Sequence, residues 1–303
     1  MKDKTLFFTS RSLFPGIIIS LLFGLCGSAF WMSYFIGIML GVIVLLLVKQ
    51  TNNSRIVKFL TGFSFSLLAL IILVNMGHTL YLRDTPLFFL TISPVIGGLI
   101  MSTSKNKPLK KVANIFFIYS IFLFFLKILG LYSHIELENL YPLMPINYKN
   151  VILGSIIFML SSVVPILSLN DISDKKNTII MYLTSSITIF TVSFLAVSVL
   201  GLKEVNLYRY PEYVVLKRIE FLNFVNNVDN FFNFAIIVDL IFTMSLGFKK
   251  MDEYGKNIKY MGIIFVTILT IFICERSAIL LYIYEYLPFA LIFLLFLLLI
   301  PKK

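Results

Sequence analysis

Long apolar runs without charged side chains dominate this sequence. The first, residues 12–48, extends for 37 residues without a charge, and further apolar runs follow along the chain. A helix needs about 20 apolar residues to cross the hydrocarbon core of a bilayer. Only 14% of the residues are charged, whereas soluble domains average about one-quarter. The chain is therefore predicted to be an all-α polytopic membrane protein whose surface contacts the lipid bilayer.

The lengths of these runs predict about ten transmembrane helices. The expected spans are 12–30, 31–48, 57–81, 86–103, 112–132, 150–169, 178–201, 223–248, 259–275 and 279–300. Gly27 and Ser28 provide the expected turn between the first two. We expect a single integral membrane domain, 1–303, with a first five-helix half at 1–132, a connecting outer loop at 133–149 and a second half at 150–303. Because an odd-numbered unit repeated in tandem inserts its second copy upside down, these halves predict an inverted repeat.

The positions of the basic residues predict an orientation. Most of the 26 Lys and Arg residues lie at the two ends of the chain and in the connections that follow even-numbered spans. Such residues favour the cytoplasmic side, so both termini are predicted to be cytoplasmic. The exception is the connection between spans 7 and 8, which is also basic. Its mixture of apolar and charged residues at 214–222 predicts an interfacial amphipathic helix.

Several classes of function are excluded by what the sequence lacks. The net charge of +11 is dispersed over short connections between apolar runs, so no nucleic-acid-binding surface is expected. Cys26 and Cys274 lie inside apolar runs, and with two histidines they predict no metal site and no disulfide framework. No phosphate-binding glycine loop and no nucleophile with a nearby base occurs. We expect neither enzymatic activity nor a cofactor.

A polar stripe is predicted on the eighth span. If that span is helical, its asparagines follow one another at steps of three and four and share one face. The stripe comprises Asn223, Asn226, Asn227, Asn230 and Asn233, with Asp229 at its edge. Polar side chains at membrane depth are costly unless they face the bundle interior, a partner or water. Amide side chains also join membrane helices to one another, so the pattern leaves a functional site and a helix contact open.

Two ionisable side chains are expected inside membrane spans. Lys127, in span 5, is a fixed cation or proton carrier, or else its amine extends to the interface along its apolar stem. Asp239 lies deep in span 8, on the face opposite the asparagines. The sequence leaves open whether Asp239 pairs with Lys127 or is protonated.

Two segments carry a resemblance to a known family. They are NLYPLMPINYKNVILGSIIF at 139–158 and RYPEYVVLKRIEFLNFVNNVD at 209–229, with shorter similarities in TSRSLF at 9–14 and DTPLFF at 84–89. These segments resemble those of spore germination permeases, the B-type subunits of germinant receptors. The resemblance implies an amino acid/polyamine/organocation-type permease fold, like that of the leucine transporter. Asn226 and Asn227 stand where that family usually has Glu and Arg, so the usual charge pair cannot form.

The resemblance also implies a function and partners. The chain would be an integral subunit of a germinant receptor in the spore inner membrane, where it senses nutrients such as amino acids and helps to trigger germination. Its partners would be an A-type subunit and a lipoprotein C-type subunit. Two alternatives stay open: a secondary transporter of amino acids coupled to protons or sodium, and a scaffold subunit that binds no ligand.

In permeases with inverted repeats, the ligand lies where membrane helices are broken. Both candidate helices contain helix breakers, namely Pro15, Gly16, Gly24 and Gly27 in span 1 and Gly154 and Pro165 in span 6. A broken helix offers N–H groups to a carboxylate and carbonyl groups to an ammonium. The predicted ligand-binding residues are Gly24, Gly27 and Ser28 in span 1 and Gly154, Ser155, Ser161 and Ser162 in span 6. The alternative is that these small residues only permit close helix packing.

Overall fold

All regular structure that the computed structural model describes is helical. It describes residues 3–48, 51, 54–141, 147–170, 172, 174–219 and 229–300. The α-helices in these residues are α1 (Thr5–Arg11), α2 (Ile19–Cys26), α3 (Phe30–Leu47), α4 (Arg55–Leu80), α5 (Leu87–Thr103), α6 (Asn106–Leu131), α7 (Tyr148–Leu169), α8 (Lys175–Leu207), α9 (Pro211–Val214), α10 (Asp229–Asp252), α11 (Lys256–Glu275) and α12 (Ser277–Leu299). Short 3₁₀ turns occupy Gly27–Ala29, Tyr132–His134, Leu137–Leu140 and Val215–Arg218.

Eight helical runs of the described chain are long and apolar enough to cross a membrane. The longest, Thr5–Leu47, extends over 43 residues and includes α1, α2 and α3. Helix α5 is apolar too, but with 17 residues it is shorter than the others. The chain thus has the architecture of a polytopic membrane protein.

The run Thr5–Leu47 is interrupted twice. The backbone leaves the helical conformation at Pro15 (ψ 127°) and Gly16 (φ 63°, ψ −8°), and again at Gly27 (φ 54°). Proline has no N–H to donate, and glycine adopts a positive φ without steric cost. The backbone breaks expected at Pro15, Gly16 and Gly27 are therefore found, whereas Gly24, which was expected to break the same span, lies inside helix α2.

Helical structure begins earlier than the start predicted for the first span. The sequence placed it at residue 12, immediately after the charge of Arg11, whereas helical structure already begins at Thr5. The side chains of residues 5–10 are all buried. Helix α1 includes Arg11 because, as described below, an acidic side chain from α10 compensates its charge.

Helix α7 carries no comparable break. It remains helical from Tyr148 to Leu169, with Pro165 inside it. A Cβ atom added to Gly154 would lie 3.0 Å from the Ser33 Oγ and 3.3 Å from the Leu22 side chain. Gly154 thus lets α7 approach α2 and α3 closely, and the break expected at Gly154 and Pro165 is not found.

Small residues also determine how the other helices pack. A Cβ atom on Gly62 of α4 would lie 2.6 Å from the Gly247 carbonyl oxygen of α10, and one on Gly37 of α3 would lie 2.8 Å from the Ser155 carbonyl oxygen of α7. In a bilayer, helices gain little from burying apolar surface, so association depends on such close approach. These contacts hold the two halves of the predicted domain together.

Polar contacts gather several helix ends at one end of the bundle. Asn170, just after α7, accepts a hydrogen bond from Thr5 (2.9 Å) and donates one to Thr9 (2.9 Å). Lys110 of α6 forms an ion pair with Asp3 (2.9 Å). Lys175 of α8 donates to the Leu46 carbonyl oxygen at the end of α3 (2.9 Å). The start of α1 therefore lies beside the ends of α3 and α7 and the starts of α6 and α8.

The connection between α8 and α10 turns inward. The interfacial helix predicted at 214–222 is wrong for its described part, because Val215 and Leu216 are each 1% exposed and Ile219 is 5% exposed. Among residues 214–219, only Lys217 and Arg218 are exposed. The apolar side chains pack into the core of the bundle rather than into a membrane surface.

The contact between α4 and α10 gives a first prediction. Gly62→Ala places a methyl group against the Gly247 carbonyl and should lower the free energy of unfolding by about 1–3 kcal/mol, the usual cost of overpacking. Unfolding of the purified protein in mixed micelles during an SDS titration measures this. Gly97→Ala in α5 is the matched control, since nothing lies within 4 Å of its Cβ position. Equal effects of the two substitutions would contradict this account of the packing.

Candidate functional site

A cavity of about 70 Å³ lies beside the break between α1 and α2. Helices α6, α8, α9 and α10 complete its walls, and most of the lining side chains are apolar. Four ionisable side chains also line it, namely Arg11, Lys127, Glu212 and Asp239. Since ionisable residues inside a membrane bundle are costly and mark functional sites by default, this cavity is the candidate site.

Arg11 and Asp239 form a buried ion pair at the cavity wall. Arg11 Nε donates to Asp239 Oδ2 at 3.0 Å, and Arg11 Nη2 donates to Oδ1 at 2.9 Å and to Oδ2 at 2.6 Å. Arg11 Nη1 also donates to the Thr188 hydroxyl oxygen at 3.4 Å. Asp239 is 2% exposed. This bidentate ion pair fixes the orientation of both side chains, and it is stronger than an ion pair with a single hydrogen bond.

The guanidinium of Arg11 has an aromatic neighbour as well. Its central carbon lies 4.3 Å from the centre of the Phe7 ring, one turn earlier in α1. Thr188 donates its own hydrogen to the Ser185 carbonyl oxygen at 2.7 Å, so its oxygen is oriented to accept from Arg11. These contacts with Phe7 and Thr188 hold the Arg11 guanidinium in one position at the cavity wall.

Glu212 occupies the backbone break. The Gly16 N–H donates to Glu212 Oε1 at 2.6 Å, across 196 positions of sequence. The Tyr210 ring covers Gly16, where a Cβ atom would collide with it, and the Tyr210 hydroxyl accepts a hydrogen bond from Asn75. Ser20 donates to the Arg209 carbonyl oxygen at 3.0 Å. Residues 209–212 therefore close over the break and direct one carboxylate into it.

Some polar atoms of the cavity have no partner among the described residues. Glu212 Oε2 and Ser120 Oγ are both buried and both lack a hydrogen bond. Lys127 is half-buried, and its Nζ lies 5.5 Å from the centre of the Phe232 ring. The cavity can therefore hold a small molecule that carries hydrogen-bond donors and charge. No group of three or more His, Cys, Asp or Glu side chains in the described chain is arranged to hold a metal ion.

The predicted ligand-binding residues lie elsewhere. None of the seven lines the cavity, namely Gly24, Gly27, Ser28, Gly154, Ser155, Ser161 and Ser162. Ser155 and Ser162 donate to backbone carbonyls of their own helix, each at 2.8 Å, and Gly154 and Ser155 lie at close helix contacts. The contacts of Gly154 and Ser155 are those of helix packing, and a ligand-binding role for the seven residues stays a prediction.

The two predicted intramembrane charges do meet at the cavity. Lys127 and Asp239 both line it. The hydrogen bonds of the Asp239 carboxylate come from Arg11, which the sequence had placed outside the membrane span. The pairing of Asp239 with Lys127 that the sequence left open is thus replaced by a different ion pair.

The asparagine stripe is described only in part. Asn223, Asn226 and Asn227 lie outside the described residues, as does the side chain of Asp229. Asn230 is exposed. Asn233 is 1% exposed and donates a hydrogen bond to the Tyr81 hydroxyl of the α4 end. For Asn233, the role found is a contact between helices.

Sequence reasoning missed four polar residues of the cavity, which are Arg11, Ser120, Thr188 and Glu212. Arg11 lies in the TSRSLF segment, but it precedes the first predicted span and belongs to the terminus that the basic residues place on the cytoplasmic side. Glu212 lies in the basic connection that violates the expected charge distribution, and an acidic residue beside Pro211, between Arg209 and Lys217, was the available signal. Ser120 and Thr188 had no distinguishing signal among the many hydroxyl residues of the membrane helices.

Comparisons with known proteins add no identification. No family model matches the chain, and a search of curated proteins finds no match. The resemblance described above rests on the quoted segments alone. The cavity and the helix break are therefore the features that bear on function.

The ion pair gives a second prediction. Arg11→Met leaves the Asp239 carboxylate buried without its partner and should lower the free energy of unfolding by about 3–5 kcal/mol. The double variant Arg11→Met/Asp239→Leu should regain most of that loss, because no buried charge remains. SDS titration of the single and double variants measures the coupling.

The exposed pair of Lys58 and Glu253 supplies the control. Their side chains are 21% and 41% exposed, so Lys58→Met should cost less than about 1 kcal/mol. A double variant at the buried site that is no more stable than Arg11→Met would show that the pair does not act as a unit.

Proposed function

We propose that this chain is an integral membrane subunit of a spore germinant receptor that binds a small nutrient, of the amino acid class, in the cavity beside the α1 break. The observation that carries the proposal is a broken membrane helix that opens on a cavity lined by two acidic and two basic side chains. Helix breaks at membrane depth are tolerated where they line a cavity, and they form the ligand sites of many permeases. The resemblance of residues 139–158 and 209–229 to germination permeases supplies the biological context.

The charges around the cavity support a zwitterionic ligand. Arg11 and Asp239 neutralise each other through three hydrogen bonds. Lys127 and Glu212 remain, and they carry opposite charges that match the carboxylate and the ammonium of an amino acid. The volume of about 70 Å³ favours a small ligand such as alanine or glycine.

The proposed membrane topology has ten crossings in a single domain. In it, Thr5–Leu47 crosses twice, with its turn at Gly27–Ala29, and α5 adds a further crossing to those of the other long helices. Lys110, Lys175 and the start of α1 meet at one end of the bundle, which supports a cytoplasmic location for that end. The five-plus-five inverted repeat stays a prediction, and the continuous helix α7 argues against a matched break in the second half.

The proposed partners are an A-type and a lipoprotein C-type subunit in the spore inner membrane. Binding would act on them by favouring one of two arrangements of the helices around the cavity, since a sensor needs only a difference in affinity between two states. Secondary transport is the second candidate. It is favoured by Lys127 and Glu212, two groups on different helices that are able to exchange protons with a ligand or with water.

Equilibrium binding tests the proposal. Wild-type protein in lipid nanodiscs should bind one or more of the twenty common amino acids saturably. Lys127→Met should weaken that binding at least about tenfold, the effect of losing one charge-assisted hydrogen bond. Lys149→Met is the matched control, because Lys149 is exposed at the start of α7. Absence of saturable binding by the wild-type protein would refute the proposed function.

Proteoliposomes distinguish sensing from transport. A receptor subunit should bind its nutrient without accumulating it inside the vesicles under a proton or sodium gradient. Gradient-driven accumulation by the protein alone would establish the transporter instead. Spores that carry Lys127→Met should lose their germination response to the bound amino acid, whereas spores that carry Lys149→Met should keep it. An unchanged response in both would favour a scaffold that binds no ligand.

A further inference from the structure

We propose that Glu212 takes the place of a ligand carboxylate at the helix break, so that the bound molecule turns its ammonium toward Glu212 and its carboxylate toward Lys127. This inference rests on the proposed binding of a small zwitterion in the cavity. It names the group that each end of the ligand meets. In this arrangement Glu212 determines that a positively charged group of the ligand, and not a negatively charged one, binds at the helix break.

The donor at the break is already satisfied. Broken membrane helices direct their N–H groups at anionic parts of a ligand. Here the Gly16 N–H donates to Glu212 Oε1 at 2.6 Å, and Pro15 has no N–H to offer. Glu212 is 3% exposed. A ligand carboxylate would therefore have to displace a buried carboxylate of the protein before it reached the break.

The second oxygen of the same carboxylate is available to a ligand. Glu212 Oε2 is buried without a hydrogen-bond partner among the described residues, and Glu212 lines the cavity. A buried carboxylate oxygen without a donor is costly. An ammonium group in the cavity would satisfy it through a charge-assisted hydrogen bond. The Ser120 hydroxyl, likewise buried and without a partner, adds an uncharged acceptor on the α6 wall.

The opposite charge is available at Lys127. Of the two basic side chains lining the cavity, Arg11 directs two of its nitrogens at Asp239. Lys127 Nζ lies 5.5 Å from the centre of the Phe232 ring, and a ring contact leaves its hydrogens able to bind an anion. The carboxylate of a zwitterion is therefore expected on the Lys127 side.

The surroundings of Glu212 hold it in this role. Tyr210 packs on Gly16, and the Tyr210 hydroxyl is bonded to Asn75 of α4. Glu212 belongs to helix α9, and the next residue of that helix, Tyr213, is 5% exposed. The hydrogen bond from the Gly16 N–H and the buried surroundings hold the Glu212 carboxylate at the break. The ligand thus meets a fixed acceptor rather than a mobile one.

Four probes separate the two ends of the ligand. Alanine carries both charges, alaninamide lacks the carboxylate, N-acetylalanine lacks the ammonium, and propionate has a carboxylate alone. Isothermal titration of the wild-type protein in nanodiscs should give the tightest binding for alanine. Alaninamide, N-acetylalanine and propionate should each bind at least about tenfold more weakly than alanine, because the first keeps only the contact with Glu212 and the other two keep only the contact with Lys127.

Two substitutions of Glu212 test its role directly. Glu212→Gln keeps an acceptor for the Gly16 N–H but presents an amide to the cavity, so alanine and alaninamide should lose at least about tenfold in affinity. N-acetylalanine and propionate should not lose affinity. Glu212→Ala frees the Gly16 N–H, and propionate should then gain about tenfold or more. SDS titration of each variant checks that it is folded.

The outcomes distinguish this inference from the proposed function. If the wild-type protein binds none of the four probes, binding of a small zwitterion fails and this inference fails with it. If alanine binds but Glu212→Gln leaves its affinity unchanged, only the inference is wrong. A loss of propionate affinity in Glu212→Gln as large as that of alaninamide would overturn the proposed orientation.

Discussion

The buried ion pair between Arg11 and Asp239 is the interaction on which the geometry of the site depends. A charge taken into a membrane bundle is tolerated only with a well-oriented partner, and three hydrogen bonds of 2.6–3.0 Å meet that requirement. They fix the end of α1 against α10. The chain then leaves the helix within four residues, at Pro15 and Gly16, and the Gly16 N–H freed there has to find an acceptor. Glu212 is that acceptor, so the ion pair, the break and the cavity belong to one arrangement.

The parts of this fold that local chemistry controls could be predicted from the sequence. Apolar length predicts most of the membrane helices, and the turn at Gly27 and the break at Pro15 and Gly16 follow from what glycine and proline allow. The ion pair could not be predicted in this way, because its partners lie 228 positions apart. No local pattern specifies which of several charges will pair. The same holds for Glu212, whose contact with Gly16 spans 196 positions.

Small and amide residues show a different limit of sequence reasoning. Glycine and serine are equally suited to a ligand site and to a close contact between helices. The sequence around Gly154 and Ser155 is therefore compatible with both roles. In the structure Gly154 lies close to Ser33, and the Ser155 carbonyl oxygen lies close to Gly37 of α3. Asn233 likewise has a polar side chain that suits a ligand, but it binds Tyr81. In a bundle held together by close approach, residue type alone does not separate binding from packing.

The seven-residue helix α1 has a consequence for how the protein is made. During synthesis α1 is made long before α10, and until α10 is in place Arg11 lacks the Asp239 carboxylate that pairs with it. An arginine at the centre of an inserting helix costs about 2.5–3.5 kcal/mol. Helix α1 is therefore expected to wait near the membrane surface while the other helices insert, and to enter the bundle only when Asp239 is in place. The site would then be completed when α1 packs against α10, after the other helices have inserted.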